Sequence, residues 1–208
     1  MGERGAFRLP KDAGERARLL SRLLETIEND IVPLTTRGVA AGNKVFGAAL
    51  LMKSDLSLVL AETNNEVLNP LWHGEMQCLK AFFELKERPR TDELLFLSTH
   101  EPCSLCLSAI TWAGFDNFFH LFSHEDSRDD FAIPHDLRIL REVFGLDGGR
   151  YSRSNAYWSC WSITDEIARL GDDARAPLAR RSARIASLYQ GLSETYQATK
   201  HASAIPLR

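Results

Sequence analysis

Two short stretches of this 208-residue chain hold side chains that could do chemistry together: His73-Gly74-Glu75 and Pro102-Cys103-Ser104-Leu105-Cys106. Four cysteines in a chain of this length are too few for a disulfide scaffold, and the C-x-x-C spacing of Cys103 and Cys106 points instead to metal or redox chemistry. Each stretch opens a predicted helix, where the partial positive charge of a helix N-terminus favours ionised cysteine and so a better ligand. One imidazole and two thiolates make three zinc-type ligands. A tetrahedral ion held by three protein ligands keeps a position for water, as in catalytic sites, whereas structural sites normally recruit four. Glu75 follows His73 by two residues, too close to share its helical face in full yet near enough to reach that water, so it reads as a proton shuttle. A structural zinc or a redox pair is the blander alternative, and it would leave Glu75 idle.

The elements that must position these residues follow from periodicity. Leu19, Leu20, Leu23, Leu24 and Ile27 recur at helical spacing and predict an amphipathic helix from Lys11 to about Asn29. Val45 to Met52 and Leu56 to Glu62 are apolar, β-compatible runs around a Ser54-Asp55 turn and predict an antiparallel hairpin. Met76, Leu79, Phe82 and Phe83 place a second helix over His73 to Leu85. Leu94 to Ser98 and Phe118 to Phe122 read as short buried strands. Leu105 to Ala113 reads as a helix closed by Gly114, and Leu137 to Phe144 as another ending at Gly145. Single helices between strands imply crossovers, hence a three-layer α/β/α fold with a central mixed sheet. Past Gly149 an aromatic patch (Tyr151, Tyr157, Trp158, Trp161) precedes a helical tail with Ile185, Leu188, Leu192 and Tyr196 on one face. The expected division is a catalytic domain over residues 1–150 and an aromatic segment with a helical C-terminal extension, packed on it, over 151–208.

Composition narrows the class. A hydrophobic fraction of 44% with 25% charged residues is ordinary globular usage, which argues against disorder or a coiled coil. The longest apolar run, Phe46 to Met52, is far too short for a membrane helix, and the charged stretch Met1 to Arg18 has no apolar core of a signal peptide. A cytoplasmic protein without a membrane partner is expected. The net charge of −3 gives no global basic field, so nucleic acid is disfavoured as a partner. Arg175, Arg180, Arg181 and Arg184 read as a solvated helix face, and Cys78 and Cys160 as small core residues.

H-x-E followed by P-C-x-x-C is the signature of zinc nucleobase deaminases, in which the Glu is an acid/base and not a ligand. The chain resembles the cytidine deaminase-like superfamily of zinc-dependent deaminases over roughly Leu19 to Gly145. Val45-Phe46-Gly47-Ala48, the Asn64-Asn65 pair and the run Glu101 to Ala113 are most similar to bacterial guanine deaminases, with tRNA adenosine deaminases next. Gly74 stands where that branch has Ala, and the loop from Asn64 to His73 is shorter than its usual loop. The resemblance implies zinc on His73, Cys103 and Cys106, with Glu75 moving the proton that turns water into a nucleophile. It also implies a small nucleobase or nucleoside as substrate, guanine or a related aminopurine first, and a homodimer. The resemblance makes Asn64 the candidate substrate hydrogen bonder, with a plain turn residue as its alternative. Gly74 should widen the pocket floor, and Trp112 is the candidate stacking partner, with a core role as its alternative. Glu125, Asp126, Asp129 and Asp130 follow the fourth strand, where the guanine deaminase branch carries a substrate-contacting acid; a solvated acidic loop is the plainer reading. His100 is either a donor behind a ligand or a strand-end residue. A tRNA-editing adenosine deaminase and a non-catalytic zinc-binding interaction module are the alternative functions.

Overall fold

The computed structural model describes residues 7–208; residues 1–6, which open the charged N-terminal stretch and the expected first domain, lie outside the described part. Strands β1 (Gly47–Met52), β2 (Leu58–Thr63), β3 (Leu94–His100), β4 (Asn117–Phe122) and β5 (Ser159–Ser162) form one sheet in the order β2-β1-β3-β4-β5. β1 is antiparallel to β2 and β3, while β3, β4 and β5 run parallel, so the sheet is mixed. Side chains alternate between two buried faces, as strands covered on both sides require. Ala49, Leu51, Leu95, Leu97 and Phe119 face one core, and Ala48, Leu50, Leu94, Phe96 and Phe118 face the other.

Helices cover both faces, completing the three layers. The first core is closed by α1 (Ala13–Thr26), α2 (Val32–Ala40), α7 (Ile163–Ala168) and α8 (Asp172–Thr199), the second by α3 (Gly74–Glu84) and α4 (Ser104–Trp112). α5 (His124–Asp129) follows β4, and α6 (His135–Phe144) packs against α4 and α5. Asp12 caps α1 by accepting from Glu15 N at 2.9 Å. The chain stays helical beyond the predicted end at Asn29 by way of a π turn, Ile27–Ile31, in which Val32 N–H bonds Ile27 O. Pro33 follows directly, has no N–H to continue the ladder, and so tolerates the wider turn.

The segment beyond residue 150 contributes to both cores. β5 adds a parallel edge strand inside the aromatic patch: Trp161 stacks on Phe119 at 5.1 Å, and Trp158 meets Phe118 edge-on at 4.9 Å. At four residues, Ser-Cys-Trp-Ser, the strand is too short for its alternation to stand out in the sequence. In α8 the buried stripe is Leu178, Ile185, Tyr189 and Tyr196, whereas Leu188, expected on that face, is exposed; Leu192 lies at its margin.

His100, the last residue of β3, belongs to this architecture. Its ring is surrounded by Phe46, Phe122, Phe131 and Tyr189, with centroids 4.7 to 5.4 Å away. Burial, with added repulsion from His120 and His124, pushes its pKa down to about 3. Between that value and the 6.5 of an exposed imidazole, the unfolded chain binds a proton that the folded chain refuses, so stability falls as pH drops through this window. Across it the wild type should lose roughly 1 kcal/mol more per pH unit than His100→Phe. Denaturant midpoints between pH 7 and 4 check this, and identical slopes refute it.

Candidate active site

His73 is the residue that caps the start of α3, and Cys103 the one that caps the start of α4. Both helix starts meet at the carboxyl end of β3, beside the beginning of β1. α3 reaches the sheet so closely because two glycines face each other: a Cβ on Gly74 would stand 2.7 Å from Gly47 Cα and 2.9 Å from the Phe46 carbonyl carbon. The result is a triangle of ligand atoms. Cys103 Sγ lies 3.6 Å from Cys106 Sγ, and His73 Nδ1 lies 3.4 and 3.7 Å from the two sulfurs. Bond lengths for tetrahedral zinc with sulfur and nitrogen ligands require edges of about 3.6 to 3.8 Å. His73, Cys103 and Cys106 are therefore positioned to bind a metal, and soft sulfur with imidazole suits zinc.

The electrostatics agree with the geometry. Burial opposes charge on His73, but its bond to Cys103 and the negative fields of Cys103, Glu66 and Glu75 outweigh that and lift its pKa to about 9. A place where a half-buried imidazole is drawn into the charged state is a place that favours a cation. The Cys103 thiol is held well below its ordinary range by its bond from Cys106 and by His73, against burial. Glu75 is buried beside the triangle, its Oε2 3.4 Å from Cys106 Sγ. Burial first, and then the charge of Cys103, raise its pKa, so this carboxyl can hold a proton that an exposed one would release. Ser98 Oγ lies 2.8 Å from Glu75 Oε1 and 2.6 Å from the His100 carbonyl oxygen. Its one hydrogen, given to Glu75, opposes the rise in pKa and holds the carboxyl in one orientation.

The other expected residues divide. Asn64 is buried, with its amide nitrogen donating to Glu66 Oε2. Gly74 does not widen the pocket; the space its side chain would take is filled by backbone of Phe46 and Gly47. Trp112 ends α4 with 91% of its surface exposed and is among neither the core residues nor those lining the cavity at His73. The last turn of α4 points away from the metal end, because the ligands occupy its first turn. Glu125, Asp129 and Asp130 are exposed, while Asp126 caps α5 with Ser123. His100 sits in its aromatic cage, not against a ligand.

Residues that spacing did not reveal complete the site. A cavity of about 250 Å³ opens at His73 and Cys103, with Lys44, Glu66, His135 and Asp136 among its polar walls and Phe46, Leu71, Ile139 and Ile205 among its apolar ones. Asp136 has its pKa pushed up to about 7, by burial first and then by Cys103. Behind the cysteine turn, buried Glu101 accepts from Tyr151 OH at 2.7 Å, Arg153 at 3.1 Å and His124 N at 3.1 Å. The Tyr151 and Arg153 contacts span about fifty residues and have no local signature.

Three helix-borne ligands and a buried carboxyl at one end of an α/β/α sheet define a metal-dependent catalytic domain. Residues 26–121 match the family described as the cytidine and deoxycytidylate deaminase zinc-binding region. It is 28% identical over 123 residues to guanine deaminase of Bacillus subtilis (strain 168), covering 57% of this chain and 76% of that one. Among solved structures, guanine deaminase from Bacillus subtilis superposes with a TM-score of 0.49 at 23% identity, covering 65% of this chain and 86% of that one. Guanine deaminase from Nitrosomonas europaea gives 0.46 at 18% identity, covering 88% and 100%.

Cys103→Ser and Cys106→Ser should each lose zinc, because a neutral oxygen is a poor substitute for a thiolate. Glu75→Gln should keep close to full zinc content. Metal analysis of the three purified proteins checks this, and full occupancy in both cysteine variants rules out the ligand set. Gly74→Ala should lower stability by about 1 to 3 kcal/mol, since the methyl has only backbone to displace, and zinc affinity should fall with it. Unfolding and zinc titrations measure both; an unchanged midpoint would contradict the close-packing role.

Proposed function

We propose that this chain is a hydrolytic deaminase of a small nucleobase or nucleoside, with guanine or a related aminopurine as the preferred substrate. The observation that carries the reading is the buried Glu75 carboxyl, raised in pKa and oriented by Ser98, beside a three-ligand metal triangle at the mouth of a small cavity. Similarity to a guanine deaminase supports the substrate class.

In this reading His73, Cys103 and Cys106 hold zinc, which when bound acidifies water toward neutral pH. Glu75 takes the proton released as a C–O bond forms at the amine-bearing ring carbon. It gives that proton to a ring nitrogen and then moves the proton of the newly added hydroxyl to the departing amine, so that the carbonyl forms as the C–N bond breaks and ammonia leaves. A carboxyl of raised pKa suits both directions of transfer. Ser98 keeps it in one orientation through the cycle. Asp136 supplies an acceptor for ring N–H or amino groups on the purine edge, the role that the resemblance offered the run at 125–130 beside its plainer reading as a solvated loop. Asn64 reads a further polar group of the substrate.

The cavity of about 250 Å³ lies below the roughly 300 to 1,000 Å³ of pockets for drug-sized ligands, and Ile205, Pro206 and Leu207 form part of its wall. That enclosure favours a free base over a folded tRNA. It also favours a substrate over the interaction-module reading. No helix among the described residues is long and apolar enough to cross a membrane. A cytoplasmic setting suits four cysteines of which none is paired in a disulfide. A homodimer suits the exposed Trp112 and Phe83, apolar surface of a kind that a second copy covers.

Ammonia release from a panel of purine bases and nucleosides, run beside a stem-loop RNA, tests the reading. Guanine should turn over best, and a preference for the RNA would replace this proposal with the editing reading. At pH 8, above the value of about 7 at which Asp136 ionises, Asp136→Asn should cost roughly 1 to 3 kcal/mol in kcat/KM on guanine, about 5- to 150-fold, because a substrate donor loses its charged acceptor. An unchanged kcat/KM would remove Asp136 from the site.

A further inference from the structure

Lys44 and Glu66 form an ion pair of 2.9 Å with 5% and 3% of their surfaces exposed, and both line the cavity at the metal triangle. Stability does not explain such a pair. Taking both charges out of water costs as much as their attraction returns, and an apolar pair of similar volume packs equally well. What surrounds Glu66 supplies a reason. Its Oε2 accepts from the Asn64 amide nitrogen, and its Oε1 lies 3.6 Å from His73 Nε2.

We propose that Glu66 is a positioning residue that locks the metal-ligating ring of His73 and the amide of Asn64 to one buried carboxylate, with Lys44 as its counter-charge. His73 turns Nδ1 to the two sulfurs, so as a neutral ligand it must carry its hydrogen on Nε2, the nitrogen that faces Glu66. A carboxylate there selects this tautomer, fixes the ring plane and makes Nδ1 the stronger donor to a metal. The same carboxylate fixes the amide of Asn64. One N–H of the Asn64 amide goes to Glu66, which fixes the amide's orientation and leaves its Oδ1 buried and without a hydrogen-bond partner among the described residues. Asn64 thus presents an acceptor that an N–H or O–H of a substrate would satisfy. The Lys44 ammonium, 2.9 Å from Glu66 Oε1, is the counter-charge that a buried carboxylate needs.

The inference rests on the metal triangle described above, and its test reads metal binding rather than turnover. Zinc affinity is measured on the full chain by competition with a chromophoric chelator, for wild type, Glu66→Gln and the double variant Lys44→Met/Glu66→Leu. Each is accompanied by a thermal melt and by nitrogen-15 NMR of the His73 ring. The double variant replaces the ion pair with apolar side chains, so it folds without a stranded charge even if Glu66→Gln does not. Affinity should fall in the order wild type, Gln, Leu, with the double variant about 10- to 100-fold weaker than wild type at an undiminished melting temperature. The zinc-bound wild type should show a slowly exchanging Nε2–H that the double variant lacks. Equal zinc affinity and an unchanged Nε2–H in a folded double variant would overturn the proposal. Because neither readout involves a substrate, a protein that deaminates nothing on the panel would still decide it.

Discussion

The close approach of α3 to β1 is the constraint on which the site depends. At Gly74 and Gly47 two stretches of backbone come together with no side chain between them, and a single Cβ would force them apart. That contact sets the depth at which the start of α3 sits against the sheet, and it carries His73 and Glu75 to the sulfurs of Cys103 and Cys106. Edges of 3.4 to 3.7 Å among the ligand atoms leave little tolerance. A shift of even a few tenths of an ångström in the helix would take one ligand out of reach of a metal held by the other two. The smallest residue in the motif therefore controls the placement of the largest charges.

Around this point the structure buries a group of polar side chains that two apolar cores must offset. Each buried carboxylate is partnered: Glu75 with Ser98, Glu66 with Lys44 and Asn64, Glu101 with Tyr151 and Arg153. Partnering limits the penalty of burial without making these groups a source of stability. Their value lies in orientation, because a carboxylate that accepts two or three fixed donors has one geometry. The cysteine turn is braced in the same way, with Glu101 N donating to Phe122 O at 2.7 Å and His124 donating to Pro102 O at 3.2 Å. Tyr151, Arg153 and the Tyr189 ring against His100 all come from beyond residue 150. The tail thus supports the strand end from which the cysteine turn springs.

What could be read from the sequence was what local spacing encodes. The hairpin, α3, β3, α4, β4 and α6 each announce themselves by a period or a cap within a dozen residues, and the structure places them within a few residues of expectation. His73, Glu75, Cys103 and Cys106 were legible because a helix start converts sequence spacing directly into geometry. β5 was not, since four residues of mixed polarity acquire strand form only by pairing with β4. The stripe on α8 was misread at Leu188 because Tyr189, with its hydroxyl, looks like surface until Phe122 and His100 are known to lie beneath it. Trp112 was misassigned for a related reason: a helix period shows which residues share a face but not which end of the helix meets the site.

The residues that shape the pocket fall on the illegible side of this division. Asp136 opens α6, a helix that carries no ligand, and reaches the cavity only because α6 packs across the start of α4. The acidic run at 125–130 had the better sequence position and the wrong direction, since Asp126 is spent on capping α5 and its neighbours face solvent. Lys44 and Glu66 stand on opposite sides of the β1–β2 hairpin, and neither has a motif of its own. Their pairing follows from the register that sets Gly47 opposite Thr63, which brings the residues flanking both strand ends to the same corner. The metal ligands can thus be read from neighbouring residues in one dimension. The groups that line the cavity around them require the sheet to be assembled first, which is why a ligand motif alone says so little about the pocket's walls.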